Sequence, residues 1–133
     1  MNAQQIAVAE KCRAAAYDGA MNFPDIVAML IGAGFEGYAV DYRRHVNIYY
    51  LPDGDSVELA NDPTLNPVAA VFDAQAVAAA VREAQAGAPG YSYRGFCAKA
   101  AAAGCAGYMV SFSGRRAVYY GRTAETLTEL FAS

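Results

Sequence analysis

The chain is written twice. Ala33-Gly34-Phe35-Glu36-Gly37-Tyr38-Ala39-Val40 returns as Ala103-Gly104-Cys105-Ala106-Gly107-Tyr108-Met109-Val110, and Tyr49-Tyr50 returns as Tyr119-Tyr120, at a constant offset of 70 residues. Between Gly34 and Tyr50 six of seventeen positions are identical, with no gap. The register reaches outward: Phe23 and Ile26 match Tyr93 and Phe96 upstream, and Ser56-Val57-Glu58 matches Thr126-Leu127-Thr128 downstream. In 133 residues such a period leaves room for two repeats, about 2–60 and about 72–130, joined by a linker of residues 61–71, all within one domain.

Each repeat reads as two helices followed by strands. Val8, Cys12 and Ala15 fall at helical spacing between Asn2, a capping residue, and Gly19, a stop; Val77, Val81 and Ala84 repeat the stripe between Asp73 and Gly87. The second helix of each repeat runs from Pro24 to Ile31 behind Asn22, and from Tyr93 to Ala102 behind Ser92. Gly34 and Gly104 then supply the left-handed residue that ends a helix. Strands follow: Tyr38, Val40 and Tyr42 alternate with Ala39 and Asp41, and Val46, Ile48 and Tyr50 alternate with Asn47 and Tyr49. A third strand begins near Ser56 after Pro52-Asp53-Gly54-Asp55, with its counterpart near Thr126. Three short strands and two short helices are too little to bury a core alone, so the halves are expected to pack about a pseudo-twofold axis. The expected fold class is α+β, with an antiparallel sheet.

Charge and cysteine usage remove several functions. A net charge of −3 is no footprint for nucleic acid, and 56% apolar with 17% charged residues describes a packed chain. Cys12, Cys97 and Cys105 are odd in number and lack a C-x-x-C pair, which points to a reducing cytoplasm. Lys11, Arg82, Glu83 and Lys99 interrupt the alanine-rich segments, so no membrane span is expected. Gly32-x-Gly34-x-x-Gly37 matches a dinucleotide fingerprint as a string, but it leads out of a helix into a strand, the reverse of what pyrophosphate binding needs. With a single histidine, no zinc set or catalytic triad can be assembled, and neither metal nor cofactor is expected. Asp53, Asp55 and Glu58 do not have the spacing of a calcium loop.

Two groups of residues remain as candidate binding positions. Arg43, Arg44 and His45 form one hairpin tip and Arg115 and Arg116 the other; a pseudo-twofold bringing both pairs to one side would make an anion-binding patch. His45 also carries the one side chain that ordinarily titrates near neutrality. The doubled tyrosines send one ring to each face of the sheet, and Tyr49 and Tyr119 are the candidates for lining a groove or an interface. Cys97 and Cys105 align with Val27 and Phe35, positions that want apolar bulk, and are expected to be buried and unreactive.

Gln85-Ala86-Gly87 with Tyr91 and Tyr93, then Phe96-Cys97, Ala103-Gly104, Tyr108-x-Val110, Phe112 and Val118-Tyr119-Tyr120-Gly121, resembles the small bacterial proteins grouped as domain of unknown function 1398. Some members of that group carry the label "phage envelope protein". The resemblance is strongest from Gln85 to Glu129 and implies a fold without implying a catalytic residue. Relatives often show a Gly-Glu turn and end in Glu-x-x-Pro, where this chain has Ala124-Glu125 and Glu129-Leu130-Phe131. The expectation is a cytoplasmic, non-catalytic module that binds a protein partner, a small ligand or a second copy of itself. The alternative is a small enzyme whose site lies where the repeats meet, drawing on Asp41, His45, Tyr49 or Cys105.

Overall fold

A computed structural model describes residues 1–61, 67–87 and 89–131. The first repeat supplies α1 (Ala3–Asp18), α2 (Phe23–Gly32), β1 (Gly37–Asp41), β2 (Val46–Tyr50) and β3 (Ser56–Ala60). The second supplies α3 (Ala74–Ala86), α4 (Tyr93–Ala102), β4 (Cys105–Ser111), β5 (Arg116–Gly121) and β6 (Thr126–Leu130). Each helix begins where a short polar side chain accepts a backbone N–H that the first turn leaves unpaired: Asn2, Asn22, Asp73 and Ser92. At Asn2 the bond is reciprocated by Gln5, which completes a capping box. The fold is α+β, and its strands form one antiparallel sheet in the order β3-β2-β1-β4-β5-β6.

The order runs outward from β1 and β4, so the repeats join through their first strands. Residues i of β1 and i + 70 of β4 are equivalent, and Ala39 lies directly opposite Met109, its own equivalent. The pseudo-twofold axis therefore passes through that pair, perpendicular to the sheet. Backbone hydrogen bonds obey it. Tyr42 N–H donates to Ala106 O and Phe112 N–H to Glu36 O; Asn61 N–H donates to His45 O and Phe131 N–H to Arg115 O.

Close approach at the junction explains two glycines in the repeated motif. A Cβ on Gly37 would stand 2.3 Å from Val110 O, and one on Gly107 the same distance from Val40 O. No side chain fits there without separating the two central strands.

The four helices lie on one face of the sheet. Tyr38, Val40, Tyr49, Tyr108, Val110 and Tyr119 point into that layer, meeting Leu30, Val77, Phe96 and Ala100 in a continuous core. Phe96 stands edge-on to both Tyr108 and Tyr119. Of the expected linker 61–71, residues 62–66 lie outside the described residues, while Val68 is buried, as is Phe72 just beyond it.

Two predictions test the junction and its turns. Gly107→Ala or Gly37→Ala should destabilise by about 3 kcal/mol, a fall of about 10 °C in Tm, because a backbone oxygen must move. Gly32→Ala in α2, with open space around it, should hold or raise Tm. Ala124 occupies a left-handed conformation (φ 66°) where the first repeat has Gly54, so Ala124→Gly should raise Tm by about 1–3 °C. Equal Tm changes for Gly107→Ala and Gly32→Ala in a thermal melt would refute the account of the junction.

Candidate functional site

The helix side of the sheet is full, and it holds tyrosines that the sequence placed outside. Tyr49 is 3% and Tyr119 8% exposed, and both belong to the core. The expectation that these two rings line a groove is therefore corrected to their neighbours, Tyr50 at 36% exposure and the half-buried Tyr120. Alternation explains the exchange. Tyr38 pairs with Tyr49 and Tyr108 with Tyr119 across the ladder, so those four rings share the helix face, and the following residue turns away.

The arginine patch is corrected as well. A twofold perpendicular to the sheet reverses strand direction, so Asp41 at the end of β1 pairs with Gly107 near the start of β4. The tip of Arg43, Arg44 and His45 and the tip of Arg115 and Arg116 thus stand at opposite ends of the sheet. Arg44 reaches Glu58 at 3.3 Å, an exposed pair, and Arg116 Nε donates to Gly114 O. His45 and Arg115 occupy the same left-handed turn position, with φ of 57° and 52°.

Of the residues of the enzyme alternative, Asp41, Tyr49 and Cys105 are engaged in structural hydrogen bonds. One carboxylate oxygen of Asp41 accepts the backbone N–H groups of Arg43 and Arg44, tying the hairpin loop. Tyr49 lies across the sheet from Asp41, bonded to Asn47, and Asn47 is bonded to Asn61, which accepts from Tyr17. Cys105 is buried, donates to Gly107 O, and burial pushes its thiol up to about 11, away from the thiolate a nucleophile needs. Burial also raises the phenols of Tyr38, Tyr42, Tyr93 and Tyr108 well above their ordinary range. The Tyr93 and Tyr108 hydroxyls bond at 2.7 Å, and the Tyr42 hydroxyl donates to Cys97 Sγ at 3.5 Å. These hydroxyls are consumed in holding the interior together. Among the described residues, no three His, Cys, Asp or Glu side chains could jointly hold a metal ion. A cleft of about 140 Å³ beside Tyr91 and the Glu83–Lys99 pair is smaller than the ~300 Å³ at which small-molecule sites begin.

Among the described residues, the opposite face of the sheet carries no helix. Its middle row reads, strand by strand, Glu58, Ile48, Ala39, Met109, Val118, Thr128. None of Ile48, Ala39, Met109 and Val118 belongs to the core, and Met109 is 53% exposed. Tyr50 and Tyr120 flank the row at diagonal positions related by the pseudo-twofold. The hydroxyl of Tyr120 lies over Gly107, where a Cβ would meet it at 2.5 Å. Tyr120 is pushed up first by burial and then by the charge of Asp41. Charged side chains on this face stand at its periphery: Glu58 on an edge strand, Asp41 and Arg116 at strand ends. An antiparallel sheet with one face in water normally alternates apolar inward and polar outward. Here the centre of the outward face is apolar.

A family model described as "Protein of unknown function (DUF1398)" matches residues 15–129 of this chain. No curated protein matches it. Among the described residues, no helix is long and apolar enough to cross a membrane.

The buried phenols set an alkaline limit on stability. Tyr49 rises from 10.0 to about 12, chiefly because burial penalises the phenolate. Between those values the folded state keeps a proton that the unfolded chain has lost. The contribution is therefore full below pH about 10 and is lost as pH rises toward about 12. Urea titrations from pH 8 to 11.5 should show stability falling above pH 10 by about 2 kcal/mol from this residue, with Tyr49→Phe reducing the slope. A slope unchanged by Tyr49→Phe would overturn the assignment.

Proposed function

The chain belongs to the DUF1398 family, and from that premise we propose that it acts as a non-catalytic interaction module whose working surface is the helix-free face of the sheet. One observation carries this reading: Ile48, Ala39, Met109 and Val118 make an apolar row across four adjacent strands, on a face that no other part of the described chain covers. An apolar centre with charges at its edge is the arrangement of a protein interface, in which the rim keeps water from the contacts within. Tyr50 and Tyr120 add large contact area at small entropic cost.

The enzyme alternative gains no support from the geometry, because Asp41, Tyr49 and Cys105 are separated by the sheet or locked in structural bonds. The three buried cysteine thiols support a reducing, cytoplasmic setting.

Met109→Lys tests the surface. Its side chain already meets solvent in the single chain, so the variant should keep the wild-type fold, with an unchanged far-ultraviolet circular dichroism spectrum. Protein captured by the immobilised wild-type chain, including a differently tagged copy of itself, should be lost from this variant and kept by Lys11→Glu on the exposed side of α1. Identical capture by all three baits would sink the reading.

A further inference from the structure

Resting on that reading of the open face, we infer that its occupant is a second copy of this chain, packed sheet against sheet about a twofold axis that lies between the sheets and parallel to their strands. Three features lead there. The first is area. Six strands about 4.8 Å apart, mostly of five residues at about 3.4 Å each, give a footprint near 29 by 17 Å, or about 490 Å². Two such faces bury about 1,000 Å², which reaches the lower bound for a specific interface only if the whole face is used. A second copy presents a face of matching size.

The second is complementarity of shape. About the strand-parallel axis, Met109 of one copy seats on Ala39 of the other, large upon small, and Ile48 meets Val118. These are the pairs that let two inner faces interdigitate at about 10 Å separation. The twofold between the copies makes each contact occur twice, so the interface is self-complementary and closes at two copies.

The third is charge. With this axis Glu58 faces Thr128, and Arg116 faces the ring of Tyr50, a favourable cation–π position. The other in-plane axis, running across the strands, sets each residue of the middle row against itself. Glu58 would then oppose Glu58, and Ala39 would leave a gap against Ala39. Electrostatics and packing thus select one of the two aligned symmetric arrangements.

Cysteine trapping in the purified chain distinguishes the possibilities. Within one chain Ile48 and Val118 are three strand spacings apart, about 14 Å, beyond the ~7 Å a disulfide allows. The native thiols are buried and leave the signal clean. The double variant Ile48→Cys/Val118→Cys should form a covalent dimer under mild oxidation, while neither single variant does. Sedimentation of the wild type at ~100 µM should give twice the 14.0 kDa monomer mass and nothing larger. Met109→Lys, by burying an unpaired charge, should weaken the dimer at least ~100-fold.

Trapping of Ile48→Cys alone would overturn the proposed axis, and a monomeric wild type would overturn the second copy. Maleimide labelling of Val118→Cys then separates this proposal from the reading beneath it. Protection in the purified chain supports the dimer. Reactivity when purified but protection in a cell extract overturns the dimer and leaves an interaction surface for another partner. Full reactivity in both overturns both.

Discussion

Everything in this fold depends on how closely β1 and β4 approach. The two repeats become one sheet where Gly37 and Gly107 admit the carbonyl oxygens of Val110 and Val40. Once that pairing forms, the ladders on either side extend outward, β2 and β3 on one flank, β5 and β6 on the other. The same pairing sets the pseudo-twofold perpendicular to the sheet. It thereby decides that equivalent features of the repeats lie on the same face but at opposite ends.

That symmetry divides the aromatic residues. Tyr38, Tyr49, Tyr108 and Tyr119 fill the layer beneath the helices, in edge-on and stacked contacts with one another and with Phe96. Burying so many phenols is tolerable because their hydroxyls find partners inside, and among the described residues no buried side-chain polar atom lacks one. Packing and polarity are resolved on the helix side. Among the described residues the other side is left with an apolar centre and no helix, and this asymmetry between the two faces is what the functional reading rests on.

Much of the architecture was legible. The four helix caps, the left-handed stops, the helix-helix-strand-strand-strand order and the antiparallel class follow from local chemistry and a repeated motif. The candidate site was legible only in part. A doubled tyrosine announces one ring on each face, but period-two alternation does not say which face the helices will cover. The helices decide it, covering Tyr49 and Tyr119 and leaving Tyr50 and Tyr120 on the open side. Met109 and Ala39, at the centre of the open face, carry no signal as single residues; their meaning comes from standing on the symmetry axis.

The sequence by itself determined that this chain is a duplication, that each repeat has helices before strands, and that Gly34 and Gly104 end the second helix of each repeat. Those properties are written in short-range terms: backbone conformation, capping and periodicity. Only the tertiary structure decided which sheet face lies under the helices, that the arginine tips point apart, and that an apolar row crosses the strands uncovered. These depend on the direction of one symmetry axis and on contacts between residues 70 positions apart, which no local pattern specifies.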